Sequence, residues 1–298
     1  MNMSVKKIED GFYPALGTPL DSNGFLCEES FSKGIELMTG AGASGVLCMG
    51  SMGNMVSIRN EEYAMVARHC AGVVAGRVPV MTGVMDCSVA RVLDRIDALK
   101  GIPVDGVVAT VPFYYKLKAG DITNFYKMLA ASSKYPVYIY DLPSVTQSAV
   151  TIGIVESLMG ESNIKGIKTA NLAMILDMQR NHCLRDDFSV LYSGLDLFDI
   201  AMDFGIKKNL DGMFTCTPAN TKKMYENIED PDKDIVSESL NNILSLRNIF
   251  VKENVFSAYS YAMELLDCPG NYHPDYEESI SGTLKEEIYK CMKEIREI

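Results

Sequence analysis

The feature that most constrains this chain is a recurrence. Eight short apolar runs, at residues 12–17, 45–49, 78–83, 106–111, 136–141, 164–168, 188–193 and 210–215, are each followed by a helical pattern. The runs are continuous rather than alternating, as expected of strands covered on both faces. Helical periodicity fills the gaps at 28–42, 60–74, 88–99, 120–131, 151–159, 171–179, 196–204 and 221–227. In the first, Phe31, Ile35, Leu37 and Met38 share one side; in the third, Ser88 stands as a cap before Val89, Val92, Leu93 and Ile96. Strict alternation with short connections predicts an α/β protein, a closed (β/α)8 TIM barrel. An open doubly wound sheet is the alternative, but Leu16-Gly17-Thr18-Pro19 after the first strand is no dinucleotide-binding turn.

The alternation stops near residue 228. A polar, proline-bearing linker at 229–234 leads into three helical stretches, 235–254, 256–266 and 276–298, with no strands between them. The reading is a catalytic barrel over 1–228 and a C-terminal helical extension over 229–298. A chain of 298 residues, 47% of them hydrophobic, has ample material for such a core.

Composition removes several function classes. The net charge of −11 and the lack of a basic patch with interleaved aromatics argue against nucleic acid. No segment approaches the ~18 apolar residues of a membrane span, and residues 1–7 are charged with no apolar run behind them, so no membrane partner and a cytoplasmic location are expected. The eight cysteines are scattered without a Cys-x-x-Cys pair, and His69, His182 and His273 lack ligand spacing. Reduced cysteines and no metal are expected.

In a barrel, chemistry gathers at the C-terminal ends of the strands. The sixth run, Asn163-Ile164-Lys165-Gly166-Ile167-Lys168-Thr169, puts Ile164, Gly166 and Lys168 on one face. A lysine on a buried face loses the hydration that favours its cation, and a neutral amine attacks carbonyls. On this stretch alone, a lysine whose ammonium snorkels to water is the favoured reading. The fifth run ends at Tyr140, on a neighbouring strand about 5 Å away, where a phenol can shuttle protons. The second ends in Gly50-Ser51-Met52-Gly53-Asn54, a turn whose N–H groups can hold a carboxylate. Asp196, after Gly194, reads either as a helix N-terminal acid or as a ligand for substrate hydroxyls.

These motifs resemble the dihydrodipicolinate synthase / N-acetylneuraminate lyase family. Gly-Ser-Met-Gly after strand two, Pro112-Phe113-Tyr114-Tyr115 after strand four, Tyr140-Asp141-Leu142-Pro143 after strand five, Gly166-Ile167-Lys168 in strand six and the opening Ala15-x-x-Thr18-Pro19 occur in the family's order. The resemblance implies a class I aldolase. Lys168 matches the Schiff-base lysine, Tyr140 the catalytic tyrosine, Ser51 the hydroxyl relay, and Tyr114 the tyrosine that completes the relay from a neighbouring subunit. Gly50, Met52, Gly53, Gly194, Asp196 and Phe214 are the candidate substrate-binding positions. No cofactor is implied beyond the covalent imine on Lys168. The implied partners are pyruvate, or another small 2-oxo acid, and an aldehyde, in a homo-oligomer, dimer or tetramer.

The departures shape the expected substrate. Met52 stands where the family has a hydroxyl residue, Asn54 where it has an acid, and Asp141 where asparagine is usual. Ser144-Val145-Thr146 lacks the arginine with which dihydrodipicolinate synthases hold a second carboxylate, and Leu197 replaces the acid that follows Asp196 in sialate lyases. The expectation is a lyase acting on a 3-deoxy sugar acid or an N-acetylneuraminate-like substrate. A dihydrodipicolinate synthase-type condensation of pyruvate with another aldehyde is the alternative. A catalytically inactive 2-oxo-acid-binding barrel is the third reading.

Overall fold

The computed structural model of the chain describes residues 8–230 and 232–298. Residues 1–7, read above as a charged start, lie outside them, as does Pro231 of the linker. The eight runs become eight parallel strands: β1 Gly11–Pro14, β2 Val46–Cys48, β3 Val80–Gly83, β4 Gly106–Thr110, β5 Val137–Tyr140, β6 Ile164–Thr169, β7 Ser189–Tyr192 and β8 Lys208–Asp211. They pair in the order β1-β8-β7-β6-β5-β4-β3-β2. The two ends meet at a single bridge, Ala15 to Leu47, where the Leu16 N–H donates to the Leu47 carbonyl at 2.9 Å. The sheet thus curls into a (β/α)8 barrel.

The helical patterns form the outer ring: α1 Glu28–Gly40, α2 Asn60–Val74, α3 Val89–Ala98, α4 Ala119–Ser132, a short α5 Pro143–Thr146, α6 Ile152–Leu158, α7 Leu172–Arg180, α8 Phe198–Asp203 and α9 Pro218–Glu226. Ser88 caps α3, its side chain accepting from the Arg91 N–H. The Asn171 side chain caps α7 in the same way through the Met174 N–H. Each cap satisfies an N–H that the helix itself leaves unpaired. Phe31, Ile35 and Met38 form the buried face of α1, with Phe31 stacked on His69 of α2.

Three expectations need correction. The eighth strand is Lys208–Asp211, not 210–215; Met213–Cys216 is a buried 3-10 turn. Its polar residues hid it. Lys208 is tied to Asp10 at 2.7 Å, and the buried Asn209 side chain accepts from the Tyr225 hydroxyl at 2.7 Å. The stretch at 196–204 starts as a 3-10 turn, Leu195–Leu197, before α8. The last stretch, expected to be helical from 276, is so only from Gly282, because Ser281 caps it through the Leu284 N–H.

The C-terminal helices are α10 Asp234–Phe250, α11 Val255–Leu265 and α12 Gly282–Glu294. Asn254 separates the first two, accepting from the N–H groups of Phe256 and Ser257. The Glu297 carboxylate returns to the start of α9, accepting from the Ala219 and Asn220 N–H groups, both at 2.9 Å. Among the described residues, no helix is long and apolar enough to cross a membrane, and no group of three or more His, Cys, Asp or Glu is placed to hold a metal. The eight cysteines form no disulfide.

Candidate active site

Strand register builds the centre of the site. Tyr140 lies opposite Lys168 across the β5–β6 ladder, so both side chains leave the sheet on the same face at its C-terminal edge. The Lys168 Nζ donates to the Tyr140 hydroxyl at 2.9 Å and stands 4.0 Å from the centroid of the Tyr140 ring. Lys168 is 7% exposed and Tyr140 4%. The Ser51 hydroxyl, arriving from the turn after β2, donates to the same phenol oxygen at 3.3 Å. Two donors therefore converge on one oxygen.

Behind this cluster opens a cavity of about 600 Å³, with Lys168, Tyr140, Ser51 and Met52 in its wall. The turn from Gly50 to Gly53 is held by the Asn54 N–H on the Ser51 carbonyl, at 3.1 Å. The Ser51 and Met52 N–H groups make no hydrogen bond among the described residues. Gly53 is dictated by packing: a Cβ there would meet the Leu16 carbonyl oxygen at 2.9 Å. The Met52 side chain lies over Gly212, where an added Cβ would come within 2.9 Å of its methyl carbon.

The other candidates fall elsewhere. Gly50 borders a second, smaller lobe. Tyr114 is 73% exposed and packs edge-on against Tyr115, ring centroids 4.8 Å apart; within one chain it does not reach Tyr140. Phe214 is fully buried against Phe12 and Phe198, a core residue outside the cavity wall. Gly194 lies against Tyr192 and is not in the wall either. Asp196 is held by the Arg247 guanidinium on α10 at 2.6 and 2.8 Å. That pairing keeps its carboxyl below the usual range and turns it away from the cavity wall.

Two carboxylates in the wall escaped the sequence reading as site residues. Asp141 accepts from the Val150 N–H at 2.9 Å and the Thr169 hydroxyl at 2.8 Å. It thereby ties the loop carrying α5 to β6. Burial pushes its carboxyl above the ordinary value, against those two donors. Asp211, at the end of β8, accepts from the Met213 N–H and is also raised by burial, with the charges of Lys168 and Arg247 opposing. For Asp141, the signal was its place next to Tyr140. For Asp211, no signal existed while the strand was placed two residues late.

A buried lysine bonded to a tyrosine at the C-terminal mouth of a (β/α)8 barrel defines a lysine-centred α/β-barrel protein. The chain belongs to the dihydrodipicolinate synthetase family, whose model matches residues 9–291. It is similar to the 4-hydroxy-tetrahydrodipicolinate synthase of Methanosphaera stadtmanae, 25% identical over 250 residues that cover 82% of this chain and 84% of that one. It is also similar to that of Gluconacetobacter diazotrophicus, 26% identical over 186 residues; there the match covers 62% of this chain and only 63% of the relative. Among solved structures, a prophage protein of the dihydrodipicolinic acid synthase family from E. coli K12, in complex with pyruvate, superposes with a TM-score of 0.87 over 96% of this chain and 98% of that one. At 21% identity that likeness is one of fold.

Proposed function

We propose that this protein is a class I aldolase that condenses pyruvate with an aldehyde. The carrying observation is the Lys168 amine, buried at the barrel mouth and hydrogen-bonded to the Tyr140 hydroxyl. The kinship with 4-hydroxy-tetrahydrodipicolinate synthases supports the condensation direction.

In this reading, the Ser51 and Met52 N–H groups receive the pyruvate carboxylate. The Lys168 nitrogen attacks C2, and the carbinolamine loses water to give an iminium. The carbinolamine hydroxyl leaves with the Tyr140 proton, the iminium then draws the electrons of a C3–H bond, and the Tyr140 phenolate takes that proton as the enamine forms. The enamine C3 attacks the aldehyde carbon, and the resulting alkoxide takes a proton from Tyr140, replenished through Ser51. Water then adds to the product iminium and frees Lys168. Tyr114 of a second copy would extend the relay, in a dimer or tetramer; its exposure in the single chain supports that role. Residues 1–228 would supply the chemistry and 229–298 an appended helical unit, in a cytoplasmic enzyme.

A second reading, cleavage of a 3-deoxy sugar acid, is supported by the cavity wall. Among the described residues, its only cationic side chain is Lys168, and the neutral polar Ser144, Asn171 and Ser193 line it. Borohydride reduction in the presence of pyruvate tests the shared step. A covalent adduct on the peptide carrying Lys168 is expected, and none with Lys168→Ala. If no 2-oxo acid gives the adduct, both readings fall.

A further inference from the structure

A second lobe of about 310 Å³ adjoins the Lys168 cavity, and Ser51, Leu142 and Phe256 belong to both walls. Its sides are largely apolar: Met55, Met85, Phe113 and Val145. Among the polar side chains in the wall, which include Ser51, Asn54 and Ser57, two differ from the rest. Among the described residues, the Thr110 hydroxyl, on a residue 4% exposed at the end of β4, is buried without a hydrogen-bond partner, and so is Oε2 of Glu277. Both residues line this same lobe. Buried polar atoms without partners cost free energy and are uncommon in folded proteins, so two of them on residues that line one cavity point to a ligand that, with a small shift of either side chain, supplies the missing partners.

Position narrows that ligand. Thr110 pairs with Tyr140 in the β4–β5 register, so the lobe opens beside the phenol and its Ser51 donor. Leu142 and Val145 belong to the loop and short helix after β5. An aldehyde reacting at the Lys168 enamine would run its chain past Tyr140 and Ser51 into this space. Glu277 sits in the segment between α11 and α12, which the barrel alone does not supply. A carboxyl there accepts from a donor, and an anionic tail would be repelled.

We propose that the lobe receives the far end of the aldehyde, and that the aldehyde has an apolar body ending in a hydrogen-bond donor held by Glu277 and Thr110. The proposal rests on the aldolase reading. The tail class follows from the complementarity: an alkyl tail leaves both polar atoms bare, a carboxylate tail opposes Glu277, and a hydroxyl tail satisfies both.

The test uses the full chain, pyruvate, and three aldehydes of equal length ending in methyl, hydroxyl or carboxylate, after borohydride trapping has scored the adduct on Lys168. The wild-type protein should show kcat/KM at least tenfold higher for the hydroxyl tail than for the methyl tail, and lowest for the carboxylate. In Glu277→Gln and in Thr110→Val, the hydroxyl-to-methyl ratio should fall severalfold. Because it is a ratio within one variant, partial misfolding lowers both rates and leaves it unmoved. If the adduct forms but the carboxylate tail is preferred, or the ratio stays the same in both variants, the inference falls while the aldolase reading stands. If no adduct forms, the aldolase reading falls and takes the inference with it.

Discussion

Replacing Tyr140 by phenylalanine removes one oxygen and tests the centre of the site. The ring, 4% exposed, keeps its packing between β4 and β6. What is lost is the acceptor for two donors, Lys168 Nζ at 2.9 Å and Ser51 Oγ at 3.3 Å. Leaving a buried donor unpaired costs roughly 1–3 kcal/mol. For a domain of this size, that lowers the melting temperature by only a few degrees. The effect on turnover should be far larger, because a positioned proton carrier contributes about 10²–10⁴-fold. The assay has two parts: the rate of borohydride-trapped adduct on Lys168 in rapid-quench samples, read by mass spectrometry, and product formation followed by NMR. Both should slow at least about a hundredfold, with the pyruvate concentration for half-maximal trapping changed far less. A variant that trapped and turned over pyruvate within about twofold of the wild-type rate would refute the assignment of Tyr140 as proton carrier, whatever became of Lys168.

Three further expectations follow from the wall of the cavity. Met52→Thr adds a hydroxyl donor beside the free N–H groups of the turn and opens space over Gly212; KM for pyruvate should fall about tenfold or more, the worth of one hydrogen bond to a charged group at roughly 1.5–3 kcal/mol, and an unchanged KM would separate this turn from the carboxylate. Asp141→Asn keeps an acceptor for the Val150 N–H and removes a buried charge. Because burial raises the folded-state carboxyl above its ordinary 3.8, the wild-type chain loses stability as pH rises from about that value through the raised one. The melting-temperature difference, variant minus wild type, should therefore grow from pH 4 to pH 7, and a flat difference would contradict the assignment. Asp196→Asn weakens the partly exposed pair with Arg247; stability should drop by about 0.2–1 kcal/mol, while KM for the aldehyde moves less than twofold, whereas a large rise in KM would return Asp196 to the substrate.

Much of this architecture was legible because the signals are local. Continuous apolar runs give buried strands whatever lies far along the chain, and Tyr140 and Lys168 share a phase at the ends of adjacent strands, so register alone sets them side by side. The eighth strand was misplaced because what makes Lys208 and Asn209 tolerable inside a sheet is distant: Asp10 for one and Tyr225 for the other. Asp196 is the same problem in reverse. As an acid after a glycine at a strand end it fits a hydroxyl ligand or a helix N-terminal acid, and the guanidinium that pairs with it lies 51 residues away, on a helix outside the barrel. Phe214 lies in the 3-10 turn after β8, buried in the core. The Glu277 lobe had no sequence signal, since it joins segments that have no common period.

The single bridge that closes the barrel has a consequence of its own. Six of the eight strand junctions carry three or four register pairs, whereas β7 and β8 share one pair, Tyr192 with Asn209, and β1 and β2 one bridge, Ala15 with Leu47, flanked by the hydrogen bonds from Leu16 to Leu47 and from Ser44 to Phe12. Ala15 faces the Lys168 cavity, and the Gly50–Gly53 turn continues directly from β2. One of the two thinly paired joins in the cylinder therefore runs beneath the place where a carboxylate would sit. Amide hydrogens there, that of Leu16 first, should exchange soonest in the empty protein. A bound acid anchored on the turn and on Lys168 would act as the missing rung, so occupancy would be felt as a tightening of the whole cylinder, and heat resistance would rise with ligand concentration.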